Sequence, residues 1–303
     1  MIAGSSHPEL ANEISALVKL PLFPVSIARF PDGEMRVQLG AEVAGKQVFV
    51  VQSLAKEPNE RLVETLLLVD ALRRGAAAHI VLVCPYLAYS RQSVQEDAGA
   101  SVAARLFADF LKLAGVDQLI TMDLHAELVK SFYDFPVECL SARSSLAQAL
   151  KQEVQTSDIV VVGPDLGSAK LVAKMARELN CPLALIEKRR HDAHKVTMLS
   201  LMGEVKDKIV LLADDVCSTA GTLSSAANVC QGKGAKSIYA VVSHGLFVEE
   251  ALERILNSPI VRLFVSDSVK LDPRVLACPK IQVVSIAKLF AHSLSCQKER
   301  FKA

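Results

Sequence analysis

The 303-residue sequence predicts an α/β fold made of two similar domains, each with a mainly parallel sheet flanked by helices. Three observations carry that expectation. Short apolar runs alternate with helix-length segments along the chain. Three pairs of segments resemble each other across its two halves. The length fits about two domains on a prior of ~150 residues each.

Taken in order, Gln47 to Val51, Ile80 to Cys84, Leu119 to Met122, Ile159 to Val162, Ile209 to Ala213 and Ile238 to Val242 are continuous apolar runs rather than alternating ones. Strands covered on both faces have that pattern, which is the mark of a parallel sheet. Glu60 to Arg74, Ala100 to Ala114 and Ser168 to Leu179 are the helical segments between them. Leu183 to Ile186 and Thr197 to Leu201 are shorter strand-like runs, and the apolar stretch Ile286 to Leu294 is expected to return and pack on the first domain. KQVFVVQS pairs with SDIVVVGPD, AHIVLVCPY with DKIVLLADD, and AGVDQLITMDLHAELVKSF with KGAKSIYAVVSHGLFVEEAL. Their offsets, near ~110–130 residues, are too long for a solenoid and suit a duplicated domain. The expected domains are 1–143 and 144–303, with the boundary near Ser141 to Ser145.

A hydrophobic fraction of 51% is ample for two cores, and a formal charge of +1 gives no reason to expect nucleic acid or a membrane surface as partner. The N-terminus MIAGSSHPELANEI lacks a basic start and an apolar h-region, and no apolar run approaches the ~18 residues of a membrane span. A soluble cytoplasmic protein is the expectation. Seven cysteines without a C-x-x-C pair point to reduced, mostly buried thiols, with Cys217 a packing residue.

The chemistry concentrates in KIVLLADDVCSTAGTL, Lys208 to Leu223. An apolar strand runs into Asp214 and Asp215, then a small-residue turn, Ser218-Thr219-Ala220-Gly221-Thr222, and then a helical pattern. Turn amides at a helix N-terminus favour a phosphate, and two carboxylates beside them accept hydrogen bonds from vicinal hydroxyls, so ribose 5-phosphate fits. The other reading is ordinary: acidic residues at loop ends and helix caps are common. Asp123 and His125 follow one strand and Asp165 another. A carboxylate and an imidazole at strand ends suit hydrated magnesium carrying phosphate, although histidine is an uncommon magnesium ligand and a lone one is more often structural. Arg91-Gln92 and Lys188-Arg189-Arg190 read either as phosphate-binding clusters or as solvated surface.

Other motifs add to these in order: GSSHPEL near the start, FPDGEMRVQL at 30–39, YSRQ at 89–92, TMDLHA at 121–126, GPDLGSAK at 163–170, EKRRHDAHKV at 187–196, SHG at 243–245 and IQVVSIAKLF near the end. Together they resemble the ribose-phosphate pyrophosphokinases, the phosphoribosyl diphosphate (PRPP) synthetases, over nearly the whole chain. The resemblance implies two tandem, duplicated phosphoribosyltransferase-like domains of type I. It implies ATP binding by Phe30, Asp32, Gly33, Glu34, Arg91 and Gln92. It implies Mg2+ at His125 and Asp165, and Lys188 and Arg190 as the catalytic pair. Ribose 5-phosphate would be held by Arg190, Asp214, Asp215, Ser218, Thr219, Ala220, Gly221 and Thr222. Two positions depart from the family pattern, which has Asp where this chain has Ser218 and where it has Ser93.

The implied reaction moves the diphosphoryl group of ATP to the anomeric hydroxyl of ribose 5-phosphate, giving PRPP and AMP, with EKRRHDAHKV as a lid. The resemblance also implies a homo-oligomer, commonly a hexamer. Two neighbouring readings are a regulatory, catalytically weak subunit and a PRPP-consuming phosphoribosyltransferase. Members under ADP control carry a C-terminal extension, and a chain ending at QKERFKA is expected to lack strong ADP allostery.

Overall fold

The computed structural model describes residues 1–154, 158–190 and 197–302. The first part of the chain forms β1 (Ile2–Ala3), α1 (Pro8–Val18), β2 (Val25–Arg29), β3 (Met35–Leu39), β4 (Gln47–Val51), α2 (Pro58–Arg74), β5 (His79–Cys84), α3 (Ala103–Ala114), β6 (Gln118–Met122) and β7 (Val137–Leu140). After it come α4 (Arg143–Glu153), β8 (Ile159–Gly163), α5 (Ala169–Leu179), β9 (Leu183–Arg190), β10 (Thr197–Met202), β11 (Ile209–Cys217), α6 (Gly221–Gly232) and β12 (Ser237–Gly245). The chain closes with α7 (Ala251–Asn257), β13 (Ile260–Ser266), α8 (Pro273–Leu276), β14 (Ile281–Val284) and α9 (Ala287–Lys302).

These elements form two units. One comprises Met1–Ser141, Ser268–Lys270 and Ile286–Ala303; the other comprises Ala142–Asp267 and Leu271–Ser285. The first holds a parallel sheet in the order β1-β4-β5-β6-β7 and a separate antiparallel hairpin, β2-β3. The second holds β10-β9-β8-β11-β12-β13-β14, parallel throughout except at the β10 edge. Val48 to Val51, Ile80 to Cys84 and Ile159 to Val162 are buried residue after residue, which is why their sequences do not alternate. The repeated segments fall on β4 and β8, β5 and β11, β6 and β12. In both sheets these three strands are neighbours in the same order.

In the first unit α9 packs on α1. Ile286, Phe290 and Leu294, four residues apart, are fully buried, as are Leu10 and Ile14 of α1. Each such side chain contributes roughly 1.5–3 kcal/mol by leaving water. In the second unit Val210, Leu212, Val242, Leu263 and Leu223 share one core with Cys217 and Cys230. All seven cysteines are free thiols.

Two strand ends that bear on the site differ from the sequence expectation. β11 continues through Asp214 and Asp215 to Cys217, because Asp214, Val216 and Cys217 keep their pairing with Val242, His244 and Gly245 of β12. β9 runs on to Arg190, with Lys188 paired to Leu199, so Lys188 and Arg190 lie on a strand and not on a loop. The rest of the expected lid, residues 191–196, lies outside the described residues. The β2-β3 hairpin was not anticipated.

Candidate active site

In the second sheet β8 has β9 on one side and β11 on the other, so the chain's winding reverses between β8 and β11. Open α/β sheets bind ligands beyond the carboxyl ends of their strands at such a reversal. β8 pairs with β11 only as far as Val162 opposite Leu212. Beyond that, β11 pairs on one side alone, and there it carries Asp214 and Asp215. Asp165 follows the end of β8. It caps a short 3-10 helix, Leu166–Ser168, by accepting the Ser168 amide at 3.0 Å, while Ser168 Oγ donates to Asp165 O at 2.6 Å. Gly163 permits this fold-back: a Cβ there would lie 2.5 Å from Ser168 Oγ and 2.6 Å from Leu185 Cδ2.

The carboxylates feel one another. The Asp214 carboxyl is pushed up to about 8, first by burial, then by the charge of Asp215 and a side-chain hydrogen bond with it, and further by Asp165. The Asp215 amide, donating to Asp214 Oδ1 at 3.0 Å, works weakly the other way. A bound cation or a row of hydroxyl donors relieves that repulsion, so the cluster is suited to both.

After β11, Ser218 to Ala220 make the turn into α6. Ala220 is its N-cap, left-handed at φ 60°, and no side chain caps the helix. First-turn amides have no intrahelical partner, and the helix dipole makes that end positive. Ser218, Thr219, Gly221 and Thr222 are half-buried, within reach of a ligand. Cys217 is buried, its thiol pushed up to about 12, first by burial and then by Asp214, and accepts a backbone hydrogen bond from Ala220. It packs and is not a nucleophile. The second unit thus brings Asp165, Asp214, Asp215 and the 218–222 turn to one end of its sheet.

The residues expected to bind nucleotide belong to the first unit. Phe30 to Glu34 form the turn of the β2-β3 hairpin: the Gly33 amide donates to Phe30 O and the Phe30 amide to Glu34 O, each at 2.9 Å. The Glu34 amide donates to Asp32 Oδ1 at 3.1 Å, and Arg29 Nη1 donates to Gly33 O at 3.2 Å. Phe30 is 48% exposed. Arg91 and Gln92 are exposed on a turn closed by the Gln92 amide to Tyr89 O at 2.9 Å. His125 is exposed three residues past β6, just before the 3-10 helix Glu127–Phe132. Among the described residues there is no cluster of three or more His, Cys, Asp or Glu able to hold a metal alone. An ion here would complete its shell with water and phosphate oxygens, as magnesium does.

Arg254, which no sequence motif marks, donates Nη1 to Thr219 O at 3.0 Å. No helix among the described residues is long and apolar enough to cross a membrane.

Comparison with known proteins bears on both units. Residues 1–115 match the model of the N-terminal domain of ribose phosphate pyrophosphokinase, and residues 130–261 match that of the phosphoribosyl transferase domain. The ribose-phosphate pyrophosphokinase of Burkholderia pseudomallei is 38% identical over 97% of this chain and 93% of its own. That of Aquifex aeolicus is 36% identical over 97% and 94%. The crystal structure of phosphoribosylpyrophosphate synthetase from Mycobacterium smegmatis superposes with a TM-score of 0.94, at 32% identity, over 99% of this chain and 98% of that one.

Proposed function

The chain belongs to the ribose-phosphate pyrophosphokinase family, and from that premise we propose that it transfers the β,γ-diphosphoryl group of ATP to the anomeric hydroxyl of ribose 5-phosphate, yielding PRPP and AMP for nucleotide biosynthesis. The observation that carries this is the likeness to ribose-phosphate pyrophosphokinases along 97% of the chain, joined to an open helix N-terminus beside a carboxylate pair.

Each group has a proposed task. The amides at 218–222 take the 5-phosphate, and Asp214 and Asp215 accept the ribose hydroxyls. Phe30 stacks on adenine, Asp32, Gly33 and Glu34 read its edge, and Arg91 and Gln92 hold the nucleotide phosphates. Lys188 and Arg190 neutralise the transferring group, with Arg190 also touching the sugar phosphate. The family uses ATP with a metal ion; we propose Mg2+, held by His125 and Asp165. Such an ion neutralises charge on the phosphate oxygens. Transfer needs the sugar hydroxyl in line behind the β-phosphorus and asks no covalent chemistry of the protein.

The family resemblance also supports a cytoplasmic homo-oligomer, a hexamer, which light scattering of the purified protein tests. Activity is tested by incubating protein, ATP, magnesium and ribose 5-phosphate and separating the nucleotides. AMP formed only when the sugar phosphate is present supports the proposal. A folded protein that binds ATP and makes no AMP favours a regulatory subunit; one that binds PRPP but not ATP favours a phosphoribosyltransferase.

A further inference from the structure

We infer that Arg254 is a positioning residue that sets the affinity for sugar phosphate by anchoring the 218–222 turn from behind; the inference rests on the ribose 5-phosphate reading of that turn. An anion site of this kind works only if the carbonyls face the protein and the amides face the ligand. Here three consecutive carbonyls are occupied by groups outside the turn, and the next, that of Ala220, by the first bond of α6. Cys217 O accepts the amides of Leu246 at 2.9 Å and Phe247 at 3.3 Å, and Ser218 O accepts that of Val248 at 3.0 Å. Thr219 O accepts Arg254 Nη1 at 3.0 Å, and Ala220 O accepts the Ser224 amide at 2.9 Å.

The donors at 246–248 are supplied at a conformational cost. Phe247 and Glu249 are left-handed, at φ 43° and 53°, which costs a non-glycine residue on the order of 1 kcal/mol or more. Gly245 makes room: a Cβ there would lie 2.4 Å from Phe247 Cε2 and 2.7 Å from Val265 Cγ2. Backbone that adopts such angles beside a site is held there by its surroundings, and what it holds here is the turn.

Arg254 is the one member of this buttress that acts through a side chain, so it can be removed without altering the backbone. It projects from α7, and Glu250 Oε2 accepts its Nη2 at 3.1 Å, which orients the guanidinium. Nη1 lies 3.8 Å from where a Gly221 Cβ would stand, so the cation also flanks the first residue of α6. It therefore serves twice: it turns the Thr219 carbonyl away from the ligand and adds positive charge beside the helix N-terminus.

The test compares Arg254→Ala and Arg254→Lys with the wild type by steady-state kinetics and by hydrogen exchange of the 218–222 amides. Arg254→Ala is expected to raise KM for ribose 5-phosphate on the order of 10-fold, the scale of a lost hydrogen bond to a charged group. KM for ATP and kcat are expected to stay within about twofold. Arg254→Lys, keeping a charge and a donor, recovers most of the KM. Without any ligand, the turn amides exchange faster in Arg254→Ala. Unchanged exchange and KM overturn the proposal, and so does a fall in kcat that tracks lost thermal stability with KM unmoved. Faster exchange in the variant, beside a wild-type turn that ribose 5-phosphate fails to protect, upholds the anchor and overturns the ligand reading instead.

Discussion

The Asp215 amide donates to Oδ1 of Asp214 at 3.0 Å, which fixes the Asp214 carboxylate against the backbone near the end of β11. Burial comes first, and repulsion from Asp215 second, in lifting the Asp214 carboxyl to about 8. The folded protein therefore keeps a proton there that the unfolded chain, near the ordinary carboxylate value of 3.8, has lost. Stability from this group is complete below that ordinary value and is lost as pH rises towards 8. Asp214→Asn removes the titration, so the melting temperature of the variant relative to wild type is expected to climb between pH 4 and pH 8. A pH-independent difference in ligand-free scanning calorimetry contradicts the shift.

Asp214→Ala tests the same residue as a ligand. KM for ribose 5-phosphate is expected to rise while KM for ATP stays put, because the hydroxyl acceptor is lost on the sugar side alone. An unchanged sugar-phosphate KM rejects the assignment.

Lys188→Ala is expected to lower turnover by orders of magnitude while leaving nucleotide affinity largely intact, since its charge is matched to the transferring group rather than to bound ATP. Binding measured by calorimetry beside kcat separates the two. Weakened ATP binding at unchanged turnover contradicts the role.

Phe30→Ala should leave the melting temperature almost unmoved, the ring being 48% exposed. It should weaken ATP by roughly 1–3 kcal/mol, the worth of an aromatic stacked on a base. Equal KM values for ATP in variant and wild type exclude stacking.

Gly163→Ala places a methyl group 2.5 Å from Ser168 Oγ, 2.6 Å from Leu185 Cδ2 and 3.1 Å from Val172 Cγ2. Overpacking of this kind costs about 1–3 kcal/mol, and a protein of this size loses roughly 2–4 °C per kcal/mol. The Asp165 turn is displaced with it. A variant as stable as wild type, by thermal melting, refutes the close approach.

Much of the fold was legible because buried parallel strands announce themselves: β4 coincides with its expected bounds, Gln47 to Val51, and the repeated segments mark strands that are neighbours in both sheets. The β2-β3 hairpin is not legible from apolar runs, because its ten strand residues are all half-buried or exposed. β11 was cut short at Ala213 because two aspartates look like a loop, whereas the β12 backbone pairs with the strand whatever its side chains are. Lys188 and Arg190 fall in a charged stretch that reads as a lid, and pairing with β10 places them on β9. At the site, the acidic pair and the small-residue turn were visible as composition. The winding reversal at β8, the proton on Asp214 and the Arg254 anchor were not, since each depends on elements distant in sequence.

The most direct measurement follows each phosphorus by 31P NMR in a mixture of the protein, ATP, magnesium and ribose 5-phosphate. Diphosphoryl transfer predicts that AMP and the two coupled diphosphate signals of PRPP grow together as ATP disappears, with no ADP formed. Formation of ADP with a ribose bisphosphate, or ATP that persists unchanged in the presence of folded protein, contradicts it.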